Sequence, residues 1–145
     1  MTIVPIGEME GHGAPTHSHD YLRTHQISGP LLRFRLAGEE AAMREQAAVL
    51  STTGRVGKTL VKEGALRITQ VMLRKGSPLG SHQIAGPASI QVLRGRLRLT
   101  TADGELQLEP GDLVAVDGGV AHAAEAMSDC ALLITMAMQD RQTES

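Results

Sequence analysis

Hydrophobic and polar residues alternate along most of the chain from about residue 56 onward. The segment Arg-Leu-Arg-Leu-Thr at 96–100 alternates strictly, which places Leu97 and Leu99 on one face of a strand. The turn Ala102-Asp103-Gly104 follows, and Asp-Gly at this place favours a type I′ hairpin. Other short apolar or alternating segments, separated by turn residues, predict strands at 58–62, 65–74, 88–93, 106–108, 113–116 and 131–138. Many short strands at close spacing predict an all-β sandwich or barrel.

The first third of the chain follows different patterns. Residues 1–29 show no period because glycines and prolines interrupt them, so we expect a flexible N-terminal arm. Residues 31–36 alternate and predict a half-buried strand. Residues 39–50 are rich in helix formers and predict one short α-helix, packed outside the barrel by an apolar stripe. The stripe consists of Met43, Ala47 and Leu50.

These elements predict a single domain with extensions, since a length of 145 residues suits one domain. The arm at 1–29 precedes a strand and helix extension at 30–55. The barrel follows at 56–138, and residues 139–145 form a polar tail.

Composition and charge exclude several classes of function. Lys and Arg number 14 and Asp and Glu 16, and the net charge of −2 argues against a large nucleic-acid surface. Tyr21 and Phe34 are the only aromatic residues, too few for a base-stacking platform. The N-terminus lacks a signal-peptide pattern, and no apolar stretch has the length of a membrane span. We therefore expect a cytoplasmic protein with no membrane and no nucleic-acid partner. The single cysteine, Cys130, cannot form an internal disulfide and is expected to be a buried apolar residue.

Four of the six histidines lie in the arm. His17 and His19 occupy alternate positions, so on an extended segment their imidazoles would point the same way and could hold one metal ion. The alternative is a polar arm with incidental histidines. The sequence leaves open whether these residues take part in a site: His12, His17, His19 and His25.

Glycine and histidine recur with a fixed spacing in the barrel region. Gly76 is followed by five residues and then by His82. Ile84 stands two residues after this histidine, Ala88 four residues further on, and Gly95 closes the segment.

A second segment with the same residue types begins at Gly111. Asp117 and Gly119 follow it, then His122, and Ala126 stands four residues later. The two segments, in this order and joined by alternating strands, resemble the two signatures of the cupin superfamily over about half the chain. The resemblance implies a double-stranded β-barrel, the cupin jelly roll, with an open mouth.

In metal-binding cupins, the signatures supply three histidines and one glutamate to iron, manganese, nickel or zinc. Carried over to this chain, only His82 and His122 remain, because Ile84 and Ala88 stand at the second histidine and the glutamate positions. Two imidazoles alone make a weak and open site for a divalent metal ion. The missing ligands would have to come from a neighbouring subunit, the arm histidines, or from Gln83, Glu125 or Asp117.

Three hypotheses for function remain. In the first, the barrel binds a small molecule, with His82 and His122 as polar anchors and metal binding weak or absent. In the second, it is a metal-dependent enzyme of the dioxygenase or isomerase type, whose two-histidine site is completed by other ligands or water. In the third, the barrel is a scaffold for assembly. For the first hypothesis, the expected lining residues are Ile84, Ala88, Ile90, Val92, Leu113 and Val114, or their neighbours.

Two expectations concern geometry. His82 and His122 should lie on adjacent strands and share one cavity, because the spacing of both signatures is intact. The chain should form a homodimer, with residues 31–36 pairing with an exposed sheet edge near the interface.

Overall fold

The structure is a computed structural model that describes residues 31–46, 52–82 and 86–138, with the backbone alone described at 80–82. Residues 31–46, 52–82 and 86–138 include two antiparallel sheets and a short helix, α1, at Leu36–Arg44. The strands are β1 Arg55–Glu63, β2 Leu66–Leu73, β3 Pro78–His82, β4 Ala88–Arg94, β5 Leu97–Thr101, β6 Gly104–Leu108, β7 Leu113–Val116, β8 His122–Ala126 and β9 Cys130–Ala137. Five strands form one sheet in the order β1-β2-β9-β4-β7, and four form the other in the order β3-β8-β5-β6.

The main core lies between the two sheets. The β2–β9–β4 ladder aligns Val71 with Leu132 and Leu132 with Val92. All three residues are at most 1% exposed. They pack in one cluster with Leu97 and Leu99 of the four-stranded sheet. Side chains share a face of the sheet when their residues are paired across strands or stand two positions apart along one strand. All residues related in this way to the Val71–Leu132–Val92 row therefore face the space between the sheets.

The turn between β4 and β5 requires a glycine. Gly95 has a φ of 84°, in the region that L side chains rarely adopt. A Cβ at this position would lie 2.1 Å from the carbonyl oxygen of Asp129, so the backbone approach allows no side chain.

The predicted strand at 31–36 is wrong. Residues 31–35 form no strand, and α1 begins at Leu36 rather than at residue 39. Contacts with the sheet fix the first turn of the helix. Gln70 Nε2 donates to the carbonyl oxygen of Leu36 over 3.0 Å, and Lys58 Nζ lies 2.6 Å from Glu39 Oε1. The five-residue alternation of 31–35 has no ladder to join among the described residues, while the helix has these partners.

Helix α1 covers the outer face of the five-stranded sheet, as the apolar stripe predicted. Met43 is 1% exposed and packs with Val56 of β1 and Met72 of β2, apart from the main core. Glu40 accepts from both Arg94 Nε and Arg44 Nη2, each at 2.5 Å. Ala47 and Leu50, the other predicted stripe residues, lie outside the described residues.

The predicted type I′ hairpin after β5 is also wrong. Thr101 pairs with Gly104, so the loop has two residues, Ala102 and Asp103. A type I′ turn needs positive φ at both, and no described residue other than glycine has it. Gly104 carries the positive φ instead, at 131°.

None of the helices in the described part of the chain has the length and apolar character needed to cross a membrane.

Truncation of Met43 should destabilise the fold. Met43→Ala removes a fully buried side chain from the helix–sheet contact, and we expect the free energy of unfolding to fall by about 2–4 kcal/mol. Urea denaturation measures the change. Glu45→Ala, at an exposed position just after α1, is the matched control and should cost less than about 0.5 kcal/mol. Equal losses in the two variants would contradict the packing of α1.

Candidate functional site

His82 and His122 occupy paired positions at one end of the four-stranded sheet. The β3–β8 ladder aligns Pro78 with Glu125 at its far end and His82 with His122 at this end. On its other side, His122 is aligned with Thr101 of β5. The backbone therefore brings the two histidines of the predicted site to adjacent strands.

The imidazole of His122 is buried and held by the backbone. The residue is 5% exposed, and its Nδ1 lies 3.1 Å from the carbonyl oxygen of Val120. Because a carbonyl oxygen only accepts, this contact assigns a proton to Nδ1. The backbone thus fixes the orientation of the ring.

A row of inner-face residues ends the five-stranded sheet. Ala88 of β4 is aligned with Val116 of β7 on one side and with Met136 of β9 on the other. Met136 is aligned in turn with Arg67 of β2. Ala88 and Val116 are 7% and 8% exposed. The row lies on the core side, because Ala88 stands two and four positions before the core residues Ile90 and Val92 and so shares their face of the strand.

This row and His122 lie at the same end of the two facing sheets. β4 runs from Ala88 to the turn at Gly95, and β5 runs back from that turn to Thr101. Ala88 and Thr101 are thus both remote from the turn, and Thr101 is aligned with His122. The candidate site is this end of the space between the sheets.

Some of the expected lining residues face the space between the sheets and others do not. Ile90 and Val92 are buried in the main core, and Val114 packs against it. Leu113 does not line the space. It is 59% exposed, and it precedes Val114 on β7, so it points to the opposite face of the sheet. Ile84 lies outside the described residues.

The two described candidates for additional metal ligands, Glu125 and Asp117, have hydrogen-bond partners away from His122. Glu125 Oε1 accepts from Arg98 Nη2 at 2.5 Å on the outer face of the four-stranded sheet. Asp117 Oδ1 accepts from the backbone amide of Gly118. The remaining candidates, Gln83 and the arm histidines His12, His17, His19 and His25, lie outside the described residues.

The residues present do not fit the four-ligand metal site of the family resemblance. Ala88 stands buried at the glutamate position and offers no lone pair. Across 31–46, 52–82 and 86–138, no group of three His, Cys, Asp or Glu residues is arranged to hold a metal ion. A two-imidazole site lacks the carboxylate that would offset the charge of the ion.

Cys130 is the buried residue that the sequence predicted. It is 0% exposed at the start of β9, and its thiol lies 2.8 Å from the carbonyl oxygen of Arg96 as a donor. Burial raises the pKa of the Cys130 thiol. A protonated, inaccessible thiol is not a nucleophile.

Arg67 is the residue of this end that the sequence analysis missed. It shares the inner-face row with Met136 and Ala88, and its Nε is buried without a hydrogen-bond partner. A signal was present, because Arg67 stands two positions before Thr69 and four before Val71 in the predicted strand at 65–74. Period-two alternation alone puts these residues on one face.

The chain contains a cupin domain, and the match covers residues 69–137, just under half of the chain. No curated protein matches the chain significantly by sequence.

Solved structures with the same fold are distant in sequence. A conserved protein of unknown function from Streptococcus pyogenes aligns with a TM-score of 0.62 and 22% identity, over 81% of this chain and 95% of that one. An RmlC-like cupin from Shewanella frigidimarina gives a TM-score of 0.57 and 19% identity, over 63% and 82%. A salicylate 1,2-dioxygenase from Pseudaminobacter salicylatoxidans gives 0.68 and 19%, over 80% of this chain and 37% of that one. At these identities the likeness shows the fold.

Restoring the family's ligand positions should create a metal site. Ile84→His with Ala88→Glu supplies the missing imidazole and carboxylate, and we expect affinity for Mn²⁺ or Zn²⁺ to rise by orders of magnitude over a weakly binding wild type. Equilibrium dialysis of protein purified without a His-tag measures it. Ile84→His with Ala115→Glu is the control, because Ala115 is exposed on the outer face of β7. Near-stoichiometric metal in the wild type would contradict this prediction.

Proposed function

We propose that the two sheets close into the jelly-roll barrel and that the chain binds a small molecule at the end marked by His122 and Ala88. The observation that carries the proposal is the row of small and apolar inner-face residues facing a buried, oriented imidazole. Ala88 stands where the family's signature has a glutamate, so this position has a short side chain and no carboxylate. The space that results is suited to an organic ligand.

The surroundings of His122 have the composition of a ligand site. Apolar side chains flank this end on the five-stranded sheet, with Ile134 and Val114 packed against the core and Ala88 beyond them. Small-molecule sites are mostly apolar, with a few polar groups that fix orientation. The imidazole of His122 is one such group. The register position of His82 beside it supports a second imidazole anchor.

In this proposal, metal binding is weak or absent and no redox chemistry is assigned. The runner-up is a metal-dependent dioxygenase or isomerase, in which His82 and His122 hold an ion together with other ligands or water. Likeness to a salicylate 1,2-dioxygenase at 19% identity supports the shared fold and does not decide between the two. Metal analysis of the untagged protein does. The cytoplasmic location likewise stays a prediction.

Filling the space at Ala88 should abolish ligand binding. We expect fragments from a mixed library of neutral and ionised molecules to shift the methyl NMR signals of Met136 and Ala124 in the wild type. Ala88→Leu adds three carbons on the inner face and should weaken these fragments about tenfold or more. Ala115→Leu makes the same change on the outer face of the neighbouring strand and should have no effect.

Either of two results would overturn the small-molecule proposal. One is a set of fragments that shifts only outer-face methyl signals. The other is equal binding by Ala88→Leu and Ala115→Leu, with both variants as thermally stable as the wild type.

We also propose that the chain forms a homodimer. Residues 31–35 form no strand that could pair with a sheet edge, so the support comes from the outermost strands instead. Leu106 on β6 and Leu113 on β7 are 54% and 59% exposed, and each strand is the last of its sheet. Exposed apolar residues on edge strands are typical of surfaces that pair with another chain.

Charging these two edges should dissociate the dimer. We expect sedimentation equilibrium at micromolar concentration to give a dimer for the wild type and a monomer for Leu106→Lys with Leu113→Lys. Leu66→Lys is the control, because Leu66 is exposed on an interior strand of its sheet. A monomeric wild type at this concentration counts against the proposal.

A further inference from the structure

Arg67 places a positive charge on the inner face of the five-stranded sheet. Arg67 is paired with Met136, and Met136 is paired with Ala88, which faces the core. Arg67 therefore lies on the core side of β2. The residue is half-buried and its Nε is fully buried with no hydrogen-bond partner. Among the described residues, no carboxylate forms an ion pair with it. A buried guanidinium donor without an acceptor is costly, which points to an acceptor that the described residues do not supply, such as a ligand.

A second positively charged residue lies next to Arg67, and a bound anion would reduce the repulsion between the two. The bulge in β1 between Thr59 and Val61 shifts the register so that Lys62 is aligned with Arg67. Like charges directly opposite each other on paired strands repel. Glu63, the nearest acidic residue along β1, is aligned with Leu66 and so belongs to the opposite face.

We propose that this end of the space binds a small organic acid, with its carboxylate on Arg67 and its apolar body against Ala88 and Met136. This inference rests on the proposed ligand-binding function and names the class of ligand. The planar guanidinium donates two parallel hydrogen bonds to a carboxylate, and Nε is one of the two donors. Lys62, which is exposed, adds attraction without a fixed geometry.

The chemistry of the row favours a carboxylic acid over inorganic anions. Phosphate and sulfate are hydrated on all sides and gain nothing from the apolar residues beside Arg67. An acid with a compact apolar body satisfies the guanidinium and buries hydrocarbon against the row in one binding event.

The test compares acids with neutral amides of the same shape. The probes are benzoate and isovalerate beside benzamide and isovaleramide, with inorganic phosphate as a further anion. Isothermal titration at concentrations up to about 10 mM covers the weak affinities expected of such small probes. The variants are Arg67→Gln and Arg67→Lys. Arg96→Gln is the matched control, because Arg96 is exposed at the β4–β5 turn, the opposite end of the sheets.

We expect the two acids to bind the wild type and to shift the methyl NMR signal of Met136. Their amides should bind at least about tenfold more weakly, since a hydrogen bond to a charged group is worth roughly 1.5–3 kcal/mol. Arg67→Gln should remove this preference, Arg67→Lys should keep part of it, and Arg96→Gln should leave it unchanged.

The stability of the free protein distinguishes a binding role from a structural one. If Arg67 serves a ligand, Arg67→Gln should keep the melting temperature of the free protein or raise it, because it removes a buried charge without a partner. The same variant should lose the rise in melting temperature that saturating benzoate gives the wild type. A large fall in the melting temperature of both Arg67 variants would mean that Arg67 is structural, and would overturn the inference.

The failure of this inference and the failure of the proposed function give different results. Equal binding of acids and amides, lost in Ala88→Leu but kept in Arg67→Gln, overturns the anion preference and leaves the binding site in place. Binding of acids that Arg67→Gln removes but Ala88→Leu does not affect would overturn the site between the sheets. Phosphate binding as tightly as benzoate, or no binding by either acid, overturns the carboxylate inference, while the neutral fragments still test the site.

Discussion

The register of the β2–β9–β4 ladder is the constraint on which the site depends. It aligns Val71, Leu132 and Val92 in a row that is almost completely buried between the sheets. A slip of one residue in any of these strands would expose its core residues, so the hydrophobic effect fixes the register strongly. Once it is fixed, the inward orientation of Arg67 and Ala88, two strands apart at the end of the ladder, follows without any further interaction.

On the outer face of the five-stranded sheet, where no ligand is expected, the buried charged side chains form ion pairs. There, Lys58 is 6% exposed but has Glu39 of α1 at 2.6 Å, and Arg94 has the carboxylate of Glu40. Each buried charge on this face is thus paired, as desolvation requires. Arg67 on the inner face differs, because its buried Nε has no acceptor. Gln70 Oε1 on the outer face is also buried without a partner, but it carries no charge, so the contrast between the charged groups of the two faces supports the proposal that Arg67 serves a ligand.

Most of the β-structure was predictable from the sequence because one-sided burial leaves a period-two pattern, as Leu97 and Leu99 show. The errors arose where long-range contacts decide the conformation. Residues 31–36 have the same alternation but no neighbouring strand, and the start of α1 depends on Gln70, which is distant in sequence. At the site, the spacing of two signatures predicted the alignment of His82 with His122. Arg67 belongs to neither signature, and only the sheet order brings it to the same end.

Ala88, at the glutamate position of the signature, and Arg67 both disfavour the binding of a divalent metal ion. A divalent ion bound near His122 would lack the carboxylate that Ala88 replaces, and it would also lie in the field of Arg67. Like charges repel, and the repulsion is stronger away from bulk water, so Arg67 lowers the affinity of such a site for a divalent ion. An organic anion gains from the same field. Under the proposed function, Ala88 at the glutamate position and Arg67 two strands away both disfavour a metal ion at this end and favour a carboxylate.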